Sequence, residues 1–245
     1  MSELFMKQSQ FYEKFWEDES HRNAYSLDSA KREKFPAILK VWGKRRFPVE
    51  VMDFGCGNGV LTSMLKSHGF GEQIVGVDIS TRAIGQARKQ FNEPGLRFEH
   101  IDYLNATSSK HYDVMIASHV LEHIENPHET FLQLRSRAKL FVLEVPLERC
   151  LWQDCLATLR SGPRAANSAG HVNHWSRRSF RHFIDEVGLD VVADYQYASA
   201  PFSPYTSTIK RSVERCLLAS IGLKLYGVCM ATHYAVLARK KSTSK

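Results

Sequence analysis

VMDFGCGNG, from Val51 to Gly59, is a short apolar run that ends in an acid and then three glycines at alternate positions. Val51, Met52 and Phe54 around Asp53 read as a strand, and Gly55, Gly57 and Gly59 read as the loop after it. A glycine lacks the Cβ that would hold a ligand away from the backbone amides. Helix formers follow from Val60 to Lys66, so the loop opens a helix whose N-terminal dipole faces the ligand. Spacing narrows the choice of ligand. A nicotinamide or flavin loop, GxGxxG, needs a glycine at position 60, where this chain has Val60.

The runs that follow agree with a nucleotide-type site. IVGVDIS, Ile74 to Ser80, ends in a second acid, and Asp78 stands roughly 20 residues beyond the loop, where a carboxylate accepts both hydroxyls of a ribose. Ser80 is a helix N-cap for TRAIGQARKQF. LRFEHIDY (Leu96 to Tyr103) is a third strand ending near Asp102, YDVMIASHVLEH (Tyr112 to His123) a fourth that runs into a polar turn, and KLFVLEVP (Lys139 to Pro146) a fifth.

On these residues the chain resembles the class I S-adenosylmethionine-dependent methyltransferases of small-molecule type, whose first motif is an acid followed by x-G-x-G-x-G, here Asp53, Gly55, Gly57 and Gly59. The resemblance covers Val51 to Pro146 well and the remainder more loosely. It implies an α/β fold with a Rossmann-like seven-stranded, mostly parallel sheet, helices on both faces and an antiparallel last strand, in the order 3-2-1-4-5-7-6. It implies S-adenosylmethionine as cofactor and S-adenosylhomocysteine as product. Asp53, Gly55, Cys56 and Gly57 would then order the loop at the methionine end, and Asp102 would read the adenine amino group between Ile79 and Tyr103. Ser118 and His119 would border the methionine part.

Composition sets limits around that reading. A chain of 245 residues with 43% hydrophobic content can bury one sizeable core, so a single domain over 1–245 is expected. Within it, residues 1–45 read as a helical lid, 46–148 as the cofactor core and 149–245 as a substrate-side and C-terminal part. No apolar span is long enough to cross a bilayer, and MSELFMKQSQ lacks the apolar core of a secretory signal. The five cysteines include no CxxC pair, which argues against a disulfide framework and for a cytoplasmic location. Net charge is +7, but the basic residues are scattered in groups such as Arg177, Arg178 and Arg181, so a small-molecule substrate is expected in place of a nucleic acid.

Family relatives often cover the cofactor with an N-terminal aromatic, and Tyr12, Trp16 and Tyr25 are the residues placed to do so. The alternative is that Phe11, Phe15 and Trp16 form one apolar face packed on the body. SHVLEH contains His119, Glu122 and His123 as HxxEH, formally the inverted zinc-protease pattern. With no third ligand at a useful spacing, no metal is expected. The resemblance instead makes the Glu122–His123 pair a loop-ordering element beside the methionine pocket, with His123 near the substrate.

SAGHVNHWSRRSF, Ser168 to Phe180, matches the turn and basic helix that face the acceptor in related enzymes. His171 would act as base on a hydroxyl, because an imidazole titrates near neutral pH. His174, Trp175 and Arg177 would line the acceptor, Arg177 gripping a carboxylate or phosphate with its guanidinium fork. The segment Thr206 to Ala231 is apolar at helical spacing; packing under the sheet edge explains it most simply, while a hydrophobic acceptor, a membrane surface or a homodimer seam stay open. Methyl transfer to an oxygen or nitrogen of a small acidic or hydrophobic molecule is the resulting expectation, by a monomer or homodimer. An RNA or protein methyltransferase and a cofactor-fold binding protein without catalysis are the alternatives.

Overall fold

A computed structural model of the protein describes residues 3–17, 19–100, 110–159 and 170–242. Three helices come first: α1 (Glu3–Phe15), α2 (Glu19–Ser29) and, after one π-helical turn over Ala30–Lys34, α3 (Phe35–Trp42). Strands and helices then alternate: β1 (Glu50–Phe54), α4 (Val60–Ser67), β2 (Gln73–Asp78), α5 (Thr81–Gln90), β3 (Leu96–His100), β4 (Tyr112–Ser118), α6 (Pro127–Leu134) and β5 (Ala138–Leu147). The last part holds α7 (Leu151–Leu159), α8 (Arg177–Glu186), β6 (Leu189–Tyr197), α9 (Thr208–Cys229) and β7 (Thr232–Lys240).

The strands form one sheet in the order β3-β2-β1-β4-β5-β7-β6, as the resemblance implied, with β7 antiparallel to both β5 and β6. The other adjacent pairs are parallel, which requires crossover helices and buries both faces. Successive side chains alternate between those faces. Met52, Val75, Met115 and Phe141 point to the side covered by Phe131 and Leu134 of α6 and Phe180, Phe183 and Ile184 of α8. Val51, Ile74, Val114 and Val142 point to the side covered by Ile38 and Val41 of α3, Leu61 and Leu65 of α4 and Ile84 of α5.

Two parts of the chain differ from the sequence expectation. Leu151–Leu159 is helical, where only a loop was expected. The apolar face of α9 does not pack under the sheet edge: Ile209 is 82% exposed and Val213 60%, and the helix kinks at Gly222, whose φ is +73°. Its buried residues are Glu214 and Tyr226, joined by a bond from the phenol to the carboxylate of 2.9 Å. Periodicity marks a face that gains from cover but does not say what lies opposite it; here a polar pair is the anchor. Among the described residues, no helix is long and apolar enough to cross a membrane.

Asp53 is buried at the end of β1 and accepts a 2.6 Å hydrogen bond from the Thr62 hydroxyl of α4, tying the strand to the helix across the glycine loop. Burial pushes its carboxyl up to about 6, against the lowering effect of the Thr62 bond. A carboxyl raised on folding contributes stability that is present below its unfolded value near 4 and lost as pH rises through the folded value. Asp53→Asn is therefore expected to remove ~2 kcal/mol of the stability loss between about pH 4 and about pH 7, measured by urea unfolding across that window. Parallel pH profiles for the two proteins would refute the assignment.

Candidate active site

The loop after β1 crosses the carboxyl ends of β1 and β2 because three of its amides are spoken for. Gly55 and Cys56 both donate to the Val77 carbonyl, at 2.8 and 3.0 Å, and Gly57 donates to Oδ2 of Asp78 at 2.8 Å. The other Asp78 oxygen accepts from the Ser80 amide at 2.9 Å, while the Ser80 hydroxyl caps α5 by accepting from the Ala83 amide. Gly57 has φ +54°, and a Cβ there would stand 2.6 Å from the indole of Trp16, so both backbone and space require glycine. A Cβ on Gly55 would meet Val120 at 2.4 Å.

The N-terminal segment folds onto this loop. Glu13 of α1 accepts from the Thr81 amide and hydroxyl and from the Arg82 amide, where a carboxylate is favoured by the start of α5. The Trp16 carbonyl accepts from Gln86 of α5 at 2.9 Å. Tyr12, Phe15, Trp16 and Tyr25 consequently line a cavity of about 410 Å³ whose floor is the glycine loop. That volume lies within the range of small-molecule sites, about 300–1,000 Å³.

Of the residues expected at a cofactor, Gly55, Cys56, Gly57, Asp78, Ile79, Ser118 and His119 line this cavity. Asp53 does not; it lies beneath the loop, bonded to Thr62. Asp102 and Tyr103 lie outside the described residues. Of the residues expected at the acceptor, Tyr12, His123 and His171 line the cavity. The other three are used elsewhere. Trp175 is packed in the core against Phe180 and Phe183, and Nδ1 of His174 pairs with Glu148 at 2.8 Å. Arg177 donates to Asp194 at 3.0 Å and lies over the Tyr234 ring at 5.0 Å, so the carboxylate it grips belongs to β6 and not to a ligand.

The far end of the cavity is a cluster of histidines and buried carboxylates. Glu148 binds Nδ1 of His171 at 2.9 Å with its other oxygen, and it holds its proton less tightly than an ordinary carboxyl: burial opposes this, but His171 and His174 outweigh it. Its charge and hydrogen bond likewise raise His171 above the usual imidazole range despite burial. His119 has φ +57°, the sole positive φ among described residues other than glycine. Its Nε2 lies 3.2 Å from Nδ1 of His233, and burial holds both rings well below the usual imidazole range. Glu144 accepts from Ser118 and from Tyr197, each at 2.6 Å.

Sequence reasoning missed four contributors. Lys34, on the π-helical turn, lines the cavity with no ion pair or hydrogen bond among the described residues. Its charge acts on Glu122, Glu144, His119 and His233. Glu148, His233 and Glu144 were also missed, since each matters only through partners far away in sequence. The π-turn is itself a mark of functional sites, but no local pattern announces it.

Comparison with known proteins agrees with this architecture. A methyltransferase-domain family model matches residues 12–194. A ubiquinone biosynthesis O-methyltransferase from Azoarcus sp. (strain BH72) is 32% identical over 97 residues, which is 37% of this chain and 40% of that protein. The chain thus spans less than half the length of that relative in the match. A ubiquinone biosynthesis O-methyltransferase from Burkholderia thailandensis is 29% identical over 197 residues, 76% of this chain and 82% of the relative. The N-methyltransferase NodS from Bradyrhizobium japonicum WM9, crystallised with S-adenosylhomocysteine, superposes with a TM-score of 0.63 at 15% identity, covering 95% of this chain and 98% of that one. At that identity the likeness is one of fold. The match over residues 12–194, together with the glycine loop and the inserted antiparallel β7, makes the chain a member of the methyltransferase-domain family, with the class I architecture.

Proposed function

We propose that this protein transfers a methyl group from S-adenosylmethionine to an oxygen or nitrogen of a small molecule that carries an acidic group. The observation that carries the reading is a single cavity with the glycine loop and Asp78 at one end and His123 and His171 at the other. Asp78 uses one lone pair on each oxygen for the Gly57 and Ser80 amides, and a carboxylate has about four acceptor sites, so ribose hydroxyls fit there. The cofactor supplies a methyl group already activated on a positive sulfur. What remains for this chain is to align the acceptor behind that carbon and exclude water, which contributes about 7 kcal/mol or more when alignment is good.

Residues are assigned roles on that basis. Gly55, Cys56 and Gly57 present backbone to the methionine half, Asp78 and Ile79 hold the nucleoside, and Ser118 and His119 border the methionine part. Asp102 and Tyr103 complete the adenine side in this reading. Tyr12 and Trp16 cover the ligand. His171 and His123 act on the acceptor, and Lys34 supplies the cation for its acidic group.

Calorimetric titration of the full chain with S-adenosylmethionine and S-adenosylhomocysteine is expected to give saturable one-to-one binding. Gly57→Ala is expected to weaken it at least about ten-fold, since left-handed strain of roughly 1–2 kcal/mol adds to the contact with Trp16. Tighter binding of NADH, or no binding of either sulfur compound, would sink the reading. In a methyl-transfer assay read by mass shift, hydroxylated or aminated carboxylic acids are expected to have lower KM than their methyl esters. Turnover is expected to change little between about 50 and about 200 mM salt, whereas a nucleic-acid substrate would lose affinity steeply over that range.

A further inference from the structure

We infer that Glu122, His123 and His171 bind one divalent cation of the zinc type at the acceptor end of the cavity. Each offers one donor atom, and the three lie within 4.8 Å of one another. Ligands about 2.0–2.2 Å from such an ion stand about 3.5 Å apart, so side-chain rotations of about 1 Å close the shell.

Glu122 supplies the independent reason. It is 0% exposed, and neither carboxylate oxygen has a hydrogen-bond partner among the described residues. His119 Nδ1 stands 3.3 Å and His123 Nε2 3.9 Å from its Oε1 without forming such a bond. Burial without a hydrogen bond disfavours the charged carboxylate, and a cation between it and two imidazoles compensates that charge.

The surroundings are built to orient these side chains. Glu148 holds Nδ1 of His171 at 2.9 Å, and the Gly170 carbonyl lies 3.3 Å from Nδ1 of His123. A carboxylate or carbonyl behind the imidazole is how metal-binding histidines are held in one tautomer. Val172 and Asn173 amides both donate to the Glu122 carbonyl, at 2.8 and 2.9 Å, and the Asn173 side chain donates to the Leu121 and Ile124 carbonyls. The loop bearing His171 is thereby stitched to the turn bearing Glu122 and His123.

Two imidazoles and one carboxylate form the donor set of catalytic zinc sites, which keep a fourth position open, and magnesium or calcium would call for more oxygen ligands. All three residues line the same cavity as the glycine loop. Resting on the methyl-transfer reading above, the open position takes the acceptor hydroxyl. The ion would lower that hydroxyl's pKa, so that the acceptor binds as its alkoxide and the proton is released to bulk solvent on binding, before the site closes. The oxygen lone pair then forms the new O–C bond while the S–C bond breaks, its electrons staying on sulfur.

The test uses the full untagged chain, freed of metal with a chelator and titrated calorimetrically with zinc chloride. One equivalent is expected to bind, with Co2+ giving visible d–d absorption at the same stoichiometry. Glu122→Gln and His171→Ala are each expected to weaken zinc at least about ten-fold while S-adenosylmethionine binding persists, and the exposed His182→Ala is expected to change neither. Absence of stoichiometric binding, or zinc affinity unchanged in both cluster variants, overturns the inference. Zinc binding without S-adenosylmethionine binding would keep the metal site and remove the methyl-transfer reading instead.

Discussion

The carboxylate of Asp78, drawing the Gly57 amide across the end of β2, is the contact on which the rest of the site depends. With the Val77 carbonyl accepting from both Gly55 and Cys56, it pins the loop flat over two strand ends and leaves Gly57 at positive φ. Only a residue without a Cβ can then lie under the Trp16 indole. The same short stretch starts α5, to whose first turn Glu13 docks the N-terminal helix. Loop, cover and helix start are thus set by the last residues of one strand. An error there would displace all three together.

At the opposite end of the cavity the geometry depends on where β7 lies. By inserting between β5 and β6, it pairs His233 with Pro146 on one side and Tyr197 on the other. His233 thereby meets His119, and Tyr197 reaches Glu144, a residue of β5 that also accepts from Ser118 of β4. The last four strands of the chain, β4 to β7, thereby close one polar network. Buried polar groups of this kind are tolerated when bonded and costly when not, which is why Glu122, whose carboxylate makes no hydrogen bond among the described residues, stands out within it.

Much of the fold was legible because apolar runs and polar breaks alternate with helical stretches from Val51 onward, and that pattern admits few architectures. That the loop glycines and Asp78 come together at one cavity was legible for the same local reason: their placement follows from spacing. The insertion of β7 came with the family resemblance, since nothing in THYAVLARK says which neighbours it takes. Arg177 shows the opposite failure. Its position at the start of a basic helix suggested a ligand carboxylate, but Asp194 on β6, joined by Arg181 and Tyr234, satisfies that charge from within the protein. Lys34 was invisible because a π-helical turn, not a sequence motif, aims it at the cavity.

The HxxEH motif shows how backbone conformation, more than residue type, decides what a motif does. On a regular α-helix His119 and His123 would share a face, four residues apart, as in a zinc protease. Here the backbone turns at His119 with φ +57°, and Leu121–His123 is a single 3-10 turn. The two rings separate: His119 goes to His233 and His123 goes to His171, where their ring centroids are 4.9 and 4.8 Å apart. Glu122 lies between them, its Oε1 3.3 Å from Nδ1 of His119 and 3.9 Å from Nε2 of His123. The protease pattern is therefore absent in space, and the third donor that it lacked within the motif arrives from a loop nearly fifty residues on, held by backbone bonds that no spacing rule could have anticipated.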